Sequence, residues 1–90
     1  MIARQVFYEG RVQGVGFRYT CKQLARGFDV VGLVRNLPDG RVELLCAGLR
    51  EEVDAFLEAL AESELKGHIK NVIAVPIAPL AEWRGFEIVA

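Results

Sequence analysis

The sequence predicts an α+β fold, a two-layer sandwich in which an antiparallel sheet carries two helices on one face. The elements run β-α-β-β-α-β with a short strand appended at the end. Three observations predict it. Apolar spacing switches from strand-like to helix-like and back, twice along the chain. A Pro38-Asp39-Gly40 turn joins two strand-like runs into a hairpin. With 90 residues, 52% of them hydrophobic, there is enough for one core and no room for a second, so residues 1–90 are read as one domain.

The first strand is predicted over Ile2–Val12, where Ile2, Val6, Phe7, Tyr8 and Val12 are interspersed with Arg4, Glu9 and Arg11. From Phe17 the period becomes helical, with Phe17, Cys21, Leu24, Ala25 and Phe28 on one face and Gly27 at the C-terminal end. Val30–Leu37 reads as the second strand, and Val42–Ala47 returns after the turn as the third. Gly48 breaks it. A second helix follows over Leu49–Glu62, its stripe Val53, Phe56, Leu57, Leu60 and Ala61 opposed by Arg50, Glu51, Asp54 and Glu58. Ser63–Asn71 is polar and reads as loop, Val72–Ile77 as the fourth strand and Phe86–Val89 as the short last one. This order is the split β-α-β, or ferredoxin-like, arrangement, and right-handed crossovers place both helices on the same side.

Bulk properties exclude several roles. A net charge of −1 gives no general attraction to nucleic acid or anionic lipid. No apolar run approaches the length of a membrane span and no signal-peptide pattern opens the chain, so the reading is a cytoplasmic protein. Cys21, Cys46 and the lone His68 do not make a metal-ligand pattern, and no metal is expected. The cysteines read as two buried free thiols, with a Cys21–Cys46 disulfide as the alternative.

The segment Gly10-Arg11-Val12-Gln13-Gly14-Val15-Gly16-Phe17-Arg18 carries the chemistry. Three glycines between a strand and a helix let the backbone turn tightly and present bare amides. The first helical turn adds unpaired donors and the positive end of the dipole, which together suit an anion. Arg18 stands at that helix start, where a cation normally costs about 0.3–1 kcal/mol. A phosphate lying between dipole and guanidinium accounts for it, because guanidinium matches two phosphate oxygens at once. The loop has neither the Lys-Ser/Thr ending of a nucleotide P-loop nor the G-x-G-x-x-G spacing of a dinucleotide site, so no nucleotide cofactor is expected. Asn36 is the second unusual residue, an asparagine inside a strand just before the turn. It reads either as turn preparation or as an amide able to hold a water without deprotonating it.

These residues resemble the acylphosphatase family. The resemblance rests on Gly10 to Arg18, on Gly32-Leu33-Val34-Arg35-Asn36-Leu37-Pro38-Asp39-Gly40-Arg41-Val42-Glu43, on Gly48 and on the closing Gly85-Phe86-Glu87-Ile88. It implies hydrolysis of a carboxyl–phosphate anhydride to carboxylate and inorganic phosphate, without cofactor or metal. Arg18 and the amides of Gln13, Gly14, Val15, Gly16, Phe17 and Arg18 would bind the phosphoryl group, and Asn36 would orient the attacking water. Inorganic phosphate or sulfate would bind as product or inhibitor, and a monomer is expected. Leu33 stands where the family usually has an aromatic, which bears on packing or local rigidity more than on catalysis.

Other candidates are weaker. His68 reads as an exposed or partly packed loop residue, Trp83 as a rim or core residue, and Arg35 as pointing to the sheet face opposite Asn36. The carboxylate of Ala90 is expected near Arg18, on the reasoning that the last strand and the glycine loop share a sheet edge. One alternative function is a non-catalytic phosphate- or ligand-binding module, a relative of the acylphosphatase-like domain of hydrogenase maturation factors, although the chain's length favours the enzyme. An RNA-binding sheet is disfavoured by the negative charge and the lack of a basic, aromatic-rich strand.

Overall fold

A computed structural model describes residues 1–79 and 82–89. Its elements are β1 (Ile2–Gly10), α1 (Phe17–Ala25), β2 (Val30–Asn36), β3 (Val42–Gly48), α2 (Arg50–Ala61), β4 (Ile69–Ile77) and β5 (Phe86–Val89). The sheet order is β4-β1-β3-β2-β5. β3 thus lies between β1 and β2, which is the split expected of this topology. β1 through β4 pair antiparallel throughout. β5 adds to the edge parallel to β2. Its direction follows from geometry: β2 runs with β1 and against β4, so a strand that reverses after β4 runs alongside β2.

Alternate residues of the strands face the helices. Val6 and Tyr8 of β1, Val30 and Val34 of β2, and Val42, Leu44 and Cys46 of β3 meet Phe17, Cys21 and Ala25 of α1 and Val53, Phe56 and Leu60 of α2 in one buried cluster. The stripe predicted on each helix is present, except that α1 ends at Ala25 and leaves Phe28 beyond it, Ala61 is exposed, and Leu24, Phe28 and Leu57 are only partly buried. The opposite sheet face carries Arg35, ion-paired to Glu43 across the β2–β3 register. Gln5 donates a 2.7 Å hydrogen bond to the second oxygen of the same buried carboxylate.

The expected loop over Ser63–Asn71 is only partly loop. Lys66–His68 is a 3-10 turn and β4 already begins at Ile69. Lys70 and Asn71 hid the strand, because β4 is an edge exposed along most of its length and lacks the inside–outside alternation that marks a strand in sequence. Register supplies what pattern did not: Asn71 faces Glu9 and donates a 3.0 Å hydrogen bond to its carboxylate. β1 stops at Gly10 rather than Val12, since Arg11 leaves the ladder to donate to the His68 carbonyl at 2.9 Å. Val12, fully buried, instead anchors the glycine loop to the core.

Cys21 and Cys46 are free and buried. Burial pushes the Cys46 thiol up to about 12 and moves the Cys21 thiol and Tyr8 hydroxyl upward as well. All three are held neutral in the folded chain. Groups whose folded values are raised stabilise the fold fully below their unfolded values, and that contribution is lost as pH climbs toward the folded values. For Cys46 the loss starts near its ordinary value of 9.0 and continues to about 12. The urea midpoint should therefore fall steadily above pH ~9, and a thiol reagent at neutral pH should modify neither cysteine until the chain unfolds. A midpoint unchanged between pH ~8 and ~11 would contradict this account.

Candidate active site

Between β1 and α1 the backbone makes a turn that only glycine adopts easily. Gly14 and Gly16 have φ of +77° and +79°, in the left-handed region. A Cβ built on either would meet nothing within 4 Å, so these glycines serve conformation and leave open space above the loop. Gln13 and Gly14 form a hydrogen-bonded turn, and beyond it the amides of Gly16, Phe17 and Arg18 donate to no acceptor among the described residues. Gly16 is the N-cap of α1, and no side chain caps that end. The helix also has no acidic residue in its first turn. Its N-terminal donors are left to solvent or to a ligand.

Arg18 is half-buried, and its Nη1 donates a long 3.4 Å hydrogen bond to the Val89 carbonyl of β5. It is paired to no carboxylate among the described residues. Ala90 lies outside the described residues, so the expected carboxylate contact does too. The reasoning behind that expectation needs correction: β1, which feeds the loop, is internal to the sheet, with β3 and β2 between it and β5. Arg18 reaches β5 from the start of α1, not along a shared edge.

Asn36 ends β2 on the helix-facing side, in phase with buried Val34. Its partly exposed amide makes no hydrogen bond among the described residues. Gly14, Gly16, Phe17, Arg18 and Asn36 line one cavity of about 190 Å³, together with Val12, Tyr19 and Ile88. That is below the ~300–1,000 Å³ typical of drug-sized ligands and suits a small charged group. Arg35 lies on the other sheet face, as alternation required. His68 is not among the cavity residues, and Trp83 lines a separate hollow beside Leu33.

Two expected loop residues are absent from the cavity wall. Val15 packs partly buried against the core. Gln13 turns its side chain away, and its Nε2 donates to the carbonyls of Leu37 at 2.8 Å and Arg41 at 2.9 Å. These carbonyls frame the β2–β3 turn, so Gln13 ties the glycine loop to the hairpin that carries Asn36. Each such bond is worth a net ~0.5–1.5 kcal/mol. Gln13→Ala should lower stability by about 1–2 kcal/mol in urea titration and loosen the spacing of Arg18 and Asn36. The sequence offered no signal for this clamp, nor for Tyr19 and Ile88, because each acts through tertiary proximity rather than a local pattern. Among the described residues, no three His, Cys, Asp or Glu side chains gather to hold a metal ion.

Known proteins resemble this chain along nearly its whole length. The acylphosphatase family profile matches residues 4–88. The chain is 40% identical over 88 residues to an acylphosphatase of Acaryochloris marina, covering 98% of this chain and 94% of that one. The crystal structure of acylphosphatase from Bacillus subtilis superposes with a TM-score of 0.90 at 32% identity, covering 100% of both chains. HypF of T. kodakarensis superposes with a TM-score of 0.86 at 30% identity, but the match takes in only 12% of that longer chain. With a profile match over nearly its whole length and close relatives of the same size, the chain belongs to the acylphosphatase family.

Proposed function

We propose that this acylphosphatase works by metal-independent, in-line attack of water on the phosphoryl group of an acyl phosphate. Arg18 and the amides of Gln13 to Arg18 hold the phosphoryl oxygens, and Asn36 holds the water. The observation that carries the reading is that Arg18 and Asn36, from different elements, line one small cavity with an uncapped helix start.

The water oxygen forms a bond to phosphorus as the bond from phosphorus to the acyl oxygen breaks. The bonding pair leaves with the carboxylate, and the proton lost by water passes to solvent. A carboxylate with pKa ~4 departs without a general acid. The loose transition state of phosphoryl transfer is served by positioning and by charge opposite its equatorial oxygens. Arg18 and the free amides supply both. An amide suits the water site because it donates and accepts without changing charge. We read the protein as a monomer. No described helix is long and apolar enough to cross a membrane, and we read the protein as cytoplasmic.

Phosphate release from benzoyl phosphate in excess chelator tests the proposal. Turnover should be unchanged by chelator and inhibited competitively by inorganic phosphate or sulfate. Loss of turnover on chelation would refute the metal-independent route, and phosphate binding without turnover would leave only the binding-module reading.

A further inference from the structure

A second hollow of about 410 Å³ adjoins the phosphoryl cavity, sharing Gly16 and Tyr19 with it. Its other walls are Thr20, Gln23, Leu24 and Glu64. Gly16, Tyr19, Thr20, Gln23 and Leu24 fall at i, i+3, i+4, i+7 and i+8, so the groove runs along one face of α1 from the helix start. At 1.5 Å per residue it extends for roughly 12 Å. Glu64, from the connection after α2, stands at its side. Tyr19 is 64% exposed, which is unusual for a large aromatic ring with no partner in the core.

We propose that this groove receives the acyl half of the substrate, and that it selects uncharged apolar acyl groups, aryl ones above all. The inference rests on the acyl phosphate reading above. In-line displacement sends the leaving group away from the attacking water. Asn36 belongs to the phosphoryl cavity and is absent from the groove, so an acyl group lying there departs from the side that Asn36 does not occupy. The Tyr19 ring offers a face for an aromatic or aliphatic acyl group, and Leu24 adds apolar wall. Glu64, the only charged residue of the groove among the described residues, repels an acyl group that carries a second carboxylate. Because Glu64 is exposed, that repulsion is screened by salt.

Benzoyl, acetyl and succinyl phosphate test this by the ratios of their kcat/KM values. Tyr19→Ala should lower the benzoyl-to-acetyl ratio roughly threefold to tenfold, chiefly through KM for benzoyl phosphate. Gln23→Trp, which fills the groove, should lower the same ratio. Glu64→Gln should raise the succinyl-to-benzoyl ratio about twofold to fivefold at low salt, with a smaller gain at high salt. Far-UV circular dichroism checks that each variant is folded. A benzoyl-to-acetyl ratio that stays within about twofold in both Tyr19→Ala and Gln23→Trp overturns the groove assignment while leaving the phosphoryl site intact. If the unaltered protein releases phosphate from none of the three, the acyl phosphate reading itself has failed.

Discussion

Replacing Arg18 with glutamine should lower kcat/KM for an acyl phosphate by roughly a thousandfold or more, without loss of the fold. A single preorganised donor to developing charge is worth ~10²–10³ in rate, and an arginine opposite a transferring phosphoryl group 10³–10⁵. Glutamine keeps a donor on a shorter side chain but removes the charge and the bidentate geometry. The structural cost is small, because the guanidinium's recorded partner is the Val89 carbonyl at a long 3.4 Å. Stability should stay level or rise by up to about 1 kcal/mol, since a cation at a helix N-terminus opposes the dipole. Activity and stability moving in opposite directions is the signature of a residue kept for its ligand. Equal phosphate inhibition constants for Arg18→Gln and the unaltered protein would remove its binding role.

Asn36→Ala should reduce kcat by ~10²–10³ while moving KM and phosphate inhibition by less than about threefold. In the proposed mechanism the amide acts on the nucleophile, which the ground-state complex with phosphate does not report. Its removal leaves the hairpin intact, because Leu37 still donates to the Arg41 carbonyl at 2.8 Å and Gly40 to that of Leu37 at 3.1 Å. Steady-state kinetics beside a phosphate titration separates the two effects. Retained kcat would assign Asn36 to turn preparation only.

The parts of the fold legible in the sequence are those where burial imposes a period. α1 and α2 each bury one stripe, β2 buries alternate residues, and β3, central in the sheet, is buried along almost its whole length, so spacing or an unbroken apolar run betrays them. β4 carries no such mark, because it is exposed along most of its length and takes its register from β1 through contacts such as Asn71 with Glu9. The candidate site divides the same way. The glycine loop and Arg18 are contiguous in sequence and conflict with local preference, which makes them visible. Asn36 was visible as an asparagine in a strand, but its nearness to Arg18 depends on β3 separating β1 from β2. The Gln13 clamp, Tyr19 and Ile88 left no local trace, since a glutamine that bonds a distant carbonyl reads like any polar loop residue.

The link between Arg18 and Val89 spans 71 positions, and β5 pairs with β2 from near the far end of the chain. Contacts so distant in sequence are closed late and slowly, because the entropy of looping the intervening chain is paid before they form. During synthesis the glycine loop and Asn36 emerge well before the strand that meets the arginine. A chain stalled before β5 would carry every proposed catalytic residue with its guanidinium untethered. On the proposed mechanism, the full setting of Arg18 is reached only once β5 has joined the sheet.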